Sequence, residues 1–280
     1  MNVQIQTSTV CNARCLLCPY KDSWMHKNPK LMTDDVFGKV VESLKHVSIE
    51  RLAPYLMCEP FSDPKLLDRI RLLKDNLAFK YLEISTNAAL LTQSVIDNLK
   101  DALAGRAYRL IVSVQGASIQ QHRDMMQVDP EKVWRNIAAL ANAGLAIDIQ
   151  GCGSPQESNQ TVFFTRDAFE QYVRDHVNSN LIFDQNIRYF EYNDRGGQIA
   201  NTFSYKRNNP TCTRLWNWLH ILHDGQITLC CNDYNRDYLF GHVWEYNKPQ
   251  DYLKSAKFNT IKERLCAGDK TLLCSKCSML

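Results

Sequence analysis

The sequence predicts an α/β fold: a partial (β/α)6 TIM-type barrel followed by a small C-terminal domain of β-hairpin and helix. Three observations carry that expectation. From Val3 to Tyr192, short runs rich in Ile, Val, Leu and Tyr alternate with longer stretches of helical periodicity, the pattern of βα units around a parallel sheet. After Tyr192 the chain turns to Gly196-Gly197 and then Lys206-Arg207-Asn208-Asn209-Pro210, which sets a domain boundary at 204/205, with domains 1–204 and 205–280. Beyond that boundary lie six of the eleven cysteines and three of the five tryptophans, which marks a second module.

The expected strands run from Val3 to Thr7, Arg51 to Met57, Lys80 to Ser85, Tyr108 to Val114, Ala146 to Gly151 and Ile187 to Tyr192. Helix signals stand between them. Thr33 caps Asp34 to His46, and Asp63 opens Pro64 to Lys74 with proline in its first turn. Further helices are expected from Gln93 to Ala104, from Pro130 to Ala143, where Gly144 stops the pattern, and from Arg166 to His176. Six parallel strands do not close an eight-stranded ring. The open barrel leaves a mouth at the C-terminal ends of the strands, where the loops of such folds carry chemistry.

Composition excludes several classes of partner. Lys plus Arg number 33 against 30 for Asp plus Glu, and a net charge of +3 without a basic arm gives no grip on a phosphate backbone, so no nucleic acid is expected. No apolar run reaches the roughly 18 residues that cross a bilayer, and the first residues lack the basic and apolar regions of a signal peptide. A cytoplasmic protein without membrane contact is the expectation. In that reducing compartment eleven cysteines point to metal or thiol chemistry rather than disulfides.

Cys11, Cys15 and Cys18 lie in the loop after the first strand, with three and then two residues between them. Three thiolates on one short loop hold three corners of a cubane iron–sulfur cluster and leave the fourth iron open to a ligand. A structural zinc would need a fourth ligand, and no His or Cys stands close by. A second set, Cys212, Cys230, Cys274 and Cys277, has separations of 18, 44 and 3, enough to close a four-ligand cage around zinc or an iron–sulfur cluster. Cys212 to Cys230, with Asp224-Gly225 between apolar runs, reads as a β-hairpin that brings its two cysteines to neighbouring ends.

The first loop resembles that of the radical S-adenosylmethionine (SAM) enzymes, which place this cysteine spacing after the first strand of a six-unit partial barrel. The resemblance implies a [4Fe–4S] cluster on Cys11, Cys15 and Cys18 whose free iron binds SAM, and a 5′-deoxyadenosyl radical that abstracts hydrogen from substrate. The residue before the third cysteine is often aromatic in that family and here is Leu17. Met57-Cys58-Glu59-Pro60 occupies the place of the family's Gly-Gly-Glu segment, so Glu59 is the expected acceptor for the methionine amino group, by charge-assisted hydrogen bonding. Ser85-Thr86-Asn87, and Ser113 with Gln115, match strand-end polar stretches near SAM, and Ser85, Asn87, Ser113 and Gln115 are the expected contacts. The C-terminal cysteines resemble the twitch form of the SPASM domain, which implies one auxiliary [4Fe–4S] cluster on Cys212, Cys230, Cys274 and Cys277.

Among the other thiols, Cys58, Cys152, Cys231 and Cys266 read as small buried hydrophobes, the commonest role of free cysteine. An epimerisation would give one of them work, because a thiol returns a hydrogen atom to a carbon radical, and Cys152 and Cys266 are the candidates. Arg195 follows the sixth strand at the rim, where the resembling aminocyclitol-oxidising enzymes set an arginine near the substrate alcohol. His220 and His223 point to opposite faces of a strand and are expected to be structural. Trp24, Met25 and His26 sit on the loop after the first cysteines, where they cover SAM or simply pack.

Alcohol dehydrogenation or carbon epimerisation of a hydroxylated small molecule is therefore the expected activity, with flavodoxin or ferredoxin as external electron donor. Modification of a ribosomally made peptide ranks below it, because the chain starts at the first barrel strand and ends three residues after Cys277. A non-enzymatic iron–sulfur or zinc module ranks last, since the trio leaves a coordination site unfilled.

Overall fold

The computed structural model describes residues 1–153, 163–177, 186–191, 194–199 and 212–277. The expected boundary at 204/205 and the last residue of the expected sixth strand, Tyr192, lie outside them. Six parallel strands, β1 (Asn2–Ile5), β2 (Ile49–Ala53), β3 (Phe79–Thr86), β4 (Tyr108–Ser113), β5 (Ile147–Gly153) and β6 (Ile187–Glu191), pair in sequence order. Helices run between them: α1 (Trp24–Lys27) and α2 (Asp34–Leu44), α3 (Leu66–Asn76), α4 (Gln93–Leu103), α5 (Ile119–Met126) and α6 (Pro130–Asn142), and α7 (Arg166–His176).

Local chemistry sets most helix starts. The side chains of Thr33, Thr92, Ser118, Asp129 and Thr165 each accept a backbone N–H from the first turn of α2, α4, α5, α6 and α7. Helix α3 starts at Leu66 rather than Pro64. Asp63 accepts the Lys65 N–H at 2.9 Å and pairs with buried Arg69 at 3.1 Å, so it closes a turn ahead of the helix. Helix α5, which the periodicity did not reveal, begins at the Ser118 cap and ends where Gln127 turns left-handed (φ 54°).

Strand alternation divides the barrel. Val3, Ile5, Leu52, Leu82, Ile84, Leu110, Val112, Ile147 and Ile149 are buried against the helices, which turns the alternate positions Arg51, Glu83, Ser85, Arg109, Ser113, Asp148 and Cys152 to the interior. There an ion ladder crosses the floor: Arg51 to Glu83 at 2.9 Å, Arg109 to Asp148 at 2.7 Å and Arg188 to Asp148 at 3.2 Å. Glu83 also accepts the Tyr55 hydroxyl at 2.8 Å, so this buried carboxylate has partners on both oxygens.

The C-terminal part adds α8 (Thr213–Asn217), β7 (Trp218–Ile221), β8 (Gln226–Thr228), β9 (Leu239–His242) and α9 (Ala256–Cys266). The expected hairpin is shorter than Cys212 to Cys230, because Thr213–Asn217 is helical and the hairpin runs from β7 to β8. Gly225 turns it at φ 82°, with its Cα so close to Trp244 that a Cβ would run into the ring. Strand β7 also pairs in parallel with β1, opposite β2, so one sheet of order β6-β5-β4-β3-β2-β1-β7-β8-β9 runs through both parts of the chain. Among the described residues no helix is long and apolar enough to cross a membrane.

Candidate active site

The first cysteine loop is pinned from several sides. The Leu16 N–H donates to the Met125 carbonyl at 2.8 Å and the Arg14 N–H to Met126 at 3.2 Å, tying the loop to the end of α5. The Tyr20 hydroxyl accepts the Cys11 N–H at 2.9 Å, and the Arg14 guanidinium donates to the Cys11 carbonyl at 2.8 Å. The three thiols stand close together. Burial, with Glu59 nearby, pushes Cys11 up to about 12, and burial with the charges of Cys18 and Cys11 pushes Cys15 well up. Three crowded thiols on a pinned loop are a donor set suited to a cluster.

Glu59 lies beside this loop, 2% exposed, with its own N–H donating to the Val10 carbonyl at 3.1 Å. Its carboxylate accepts the Thr86 hydroxyl at 2.6 Å, the Asn87 N–H at 2.8 Å and the Phe61 N–H at 3.3 Å. Burial still holds the carboxyl up at about 7 against those three donors. A carboxylate has about four lone-pair sites, so one remains for a ligand. Met57, two residues earlier, is left-handed at φ 54°, a conformation glycine adopts without strain. The Asn87 side chain donates to Asn12 in the cysteine loop at 2.9 Å and so joins the end of β3 to it. Ser85 and Ser113 are half-buried at interior positions of β3 and β4. The Gln115 amide oxygen accepts the Cys152 N–H at 2.8 Å and fixes the end of β5.

Arg195 stands at the meeting point of these parts, itself left-handed at φ 52° in the turn after β6. Its guanidinium is within electrostatic reach of Tyr234, Cys152, Cys18 and Cys231. Asp194 accepts the Gly196 N–H at 3.1 Å. The turn packs tightly on the C-terminal part. A Cβ on Gly196 would meet Leu273 at 2.5 Å and one on Gly197 would meet Lys276 at 2.8 Å, so the glycine pair admits the short 3-10 turn Leu273–Lys276.

That 3-10 turn carries Cys274, with Cys277 at its end, and both line a cavity with Cys212, Cys230, Arg214, Leu215, Asn232 and Leu273. Cys212 arrives ahead of α8 and Cys230 after β8. The Asn232 N–H donates to the Cys230 sulfur at 3.5 Å, and burial pushes Cys274 up to about 12. The four thiols surround that cavity. A polynuclear cluster fits that donor set.

The other foreseen residues fall elsewhere. Cys266 is exposed on the last turn of α9, and Cys58, next to Glu59 in the chain, is half-buried. His220 is buried and stacked on Trp218 at 5.6 Å, and burial lowers its pKa to about 3. His223 lies past the end of β7 against Trp24, and Met25 is fully buried. Sequence reasoning missed two groups. Thr86 holds Glu59 although its neighbours Ser85 and Asn87 drew the attention, and Tyr234 meets Cys18 across 216 residues with no local signal.

An open barrel with three cysteines after its first strand, an acid at the end of its second, and four more cysteines around a second cavity defines an iron–sulfur enzyme. The chain belongs to the radical SAM superfamily, which matches residues 5–162, and residues 212–278 match SPASM, an iron-sulfur cluster-binding domain. It is accordingly a radical SAM enzyme whose cofactors are SAM, a [4Fe–4S] cluster and iron–sulfur in the second domain, which sets aside a non-enzymatic module. No curated protein sequence matches it.

Solved structures share the fold. BtrN in complex with AdoMet and 2-DOIA matches with a TM-score of 0.64 at 16% identity, over 100% of this chain and 95% of that one. Native anSMEcpe with bound AdoMet gives a TM-score of 0.68 at 14% identity, over 98% and 88%. Streptococcus suis SuiB bound to its precursor peptide SuiA gives 0.60 at 14% identity, over 93% and 66%.

Proposed function

We propose that this enzyme abstracts hydrogen from an alcohol-bearing carbon of a hydroxylated small molecule, of sugar, aminocyclitol or aminoglycoside type, and oxidises it to the ketone. The observation that carries the reading is Arg195, held by Gly196-Gly197 between the first cysteine loop, Cys152 and the second cysteine cavity. In this reading Cys11, Cys15 and Cys18 hold the SAM-binding cluster, and Cys212, Cys230, Cys274 and Cys277 hold one auxiliary [4Fe–4S] cluster. Domains 1–204 and 205–280 divide the two. Bound at the first site, SAM would supply a hydrogen-abstracting radical, and the auxiliary cluster would accept the second electron of the oxidation.

The chain's own residues do the rest. Glu59 accepts the ammonium of SAM on its remaining lone pair, while Ser85, Asn87, Ser113 and Gln115 supply polar groups at the strand ends. Arg195 stays protonated and donates to the substrate oxygen, stabilising the negative charge that grows there as the hydroxyl proton passes to water. The small-molecule class draws support from the full-length likeness to BtrN, solved with 2-DOIA, and the peptide alternative from SuiB, solved with its precursor peptide. A one-electron donor such as flavodoxin or ferredoxin completes the system.

Epimerisation is the second reading, and Cys152 favours it. Burial pushes this thiol up to about 11, so it keeps the S–H that hydrogen return requires, at the end of β5 beside Arg195. Turnover in heavy water separates the two. Oxidation leaves no solvent deuterium at the product carbon, and a thiol donor places one there. Product carrying deuterium that is lost in Cys152→Ala would overturn the dehydrogenase reading. SAM cleavage stimulated by a peptide and by no polyol would overturn the substrate class.

A further inference from the structure

Tyr234 joins the C-terminal domain to the first cysteine loop. Tyr234 is 6% exposed, and its hydroxyl lies 3.6 Å from the Cys18 sulfur, a hydrogen-bond distance for sulfur. Its backbone has little freedom. Tyr234 sits in a tight turn that begins at Cys230, whose carbonyl accepts the Asp233 N–H at 3.0 Å. The buried Asp233 carboxylate locks that turn by accepting the Thr228 hydroxyl at 2.6 Å, the Asp237 N–H at 2.8 Å and the Tyr238 N–H at 3.0 Å. Around the ring pack Tyr20, Met25, Leu56 and Leu222, an apolar cluster that also touches Cys11 and Cys18. The contact is thus fixed by a rigid turn and a dry lining.

The direction of the bond follows from chemistry. A cysteine that holds iron is a thiolate with no proton, and a neutral phenol is a donor, so the hydroxyl gives its hydrogen to sulfur. Hydrogen bonds to cluster sulfurs withdraw electron density and favour the reduced, more negative state, which is one of the ways a protein sets a cluster's potential.

We propose that Tyr234 is a positioning residue of the second domain that donates a hydrogen bond to the Cys18 thiolate and raises the reduction potential of the cluster on Cys11, Cys15 and Cys18. The proposal rests on the reading that this trio holds the cluster. It also gives the second domain a role at the first site: the turn that aims the phenol grows directly from Cys230, four residues before it.

The test uses the full-length chain, reconstituted anaerobically with iron and sulfide, in wild-type and Tyr234→Phe forms. Redox titration is followed by EPR of the reduced cluster whose signal changes on adding SAM, which separates it from any second cluster. The expected result is a more negative midpoint in Tyr234→Phe with the same iron content, and a similar shift in Tyr234→Leu. An unchanged midpoint in Tyr234→Phe overturns the proposal, as does a shift confined to Tyr234→Leu, which would report packing alone. Should both variants fail to load, pulsed deuterium ENDOR of the wild type in heavy water decides: a strongly coupled exchangeable deuteron at the SAM-responsive cluster supports the bond, and its absence overturns it. A wild type with no SAM-responsive cubane signal would instead sink the assignment of the trio.

Discussion

The two cysteine sites differ in how the chain builds them. Cys11, Cys15 and Cys18 occupy one loop of eight residues, braced by α5 and Tyr20, whereas Cys212, Cys230, Cys274 and Cys277 come from three segments that meet only after β7, β8 and the last 3-10 turn have packed. A contiguous site is specified by local sequence and needs only a scaffold to stand on. A composite site is specified by the fold and inherits every weakness of the contacts that assemble it.

The largest effects should separate the two by function. In Cys15→Ala, formation of 5′-deoxyadenosine by the reconstituted, reduced enzyme should fall to background. In Cys274→Ala, iron content should drop while SAM cleavage persists, as chromatography and iron analysis can check. Equal loss of cleavage in both would erase the distinction.

Glu59→Gln comes next. Loss of a charge-assisted hydrogen bond is worth about 1.5–3 kcal/mol, so SAM affinity measured by calorimetry should weaken by roughly 10–150-fold. In the wild type, affinity should rise as pH climbs through about 7, where the Glu59 carboxyl loses the proton that burial retains. The same group acts oppositely on the SAM-free fold. Its pKa is raised in the folded state, so its stabilising contribution is complete below the unfolded value of 4.5 and fades as pH rises to about 7.

The composite site should also fail from a distance. Gly196→Ala sets a Cβ 2.5 Å from Leu273 at φ 74°, at a cost of about 1–3 kcal/mol. Melting temperature should fall by several degrees, and the second cluster should be lost to chelator before the first. Met57→Gly, beside the contiguous site, should change stability least, by about 1 kcal/mol or less, because glycine relieves the left-handed backbone but adds freedom to the unfolded chain.

This contrast also governs what the sequence revealed. Spacing exposed the first trio, and single residues such as the Thr33 cap and the Gly144 stop exposed the helices, because each signal lies within a few residues. The start of α3 slipped because Asp63 closes a turn instead of a helix, and the hairpin was drawn too long because Thr213–Asn217 is a helical turn. The pairing of β7 with β1 and the contact of Tyr234 with Cys18 join residues more than 200 positions apart, where no local pattern reaches. Exposure set Cys266 apart from Cys152, and only burial could do so.

Strand β7 lies along β1, so the last quarter of the chain covers a sheet margin that would otherwise be bare. A fragment cut after β6 would present the open edge of β1 to other copies of itself and precipitate, and the two parts should melt in a single cooperative step. Engineering that grafts a different cluster module onto this barrel has to bring its own covering strand.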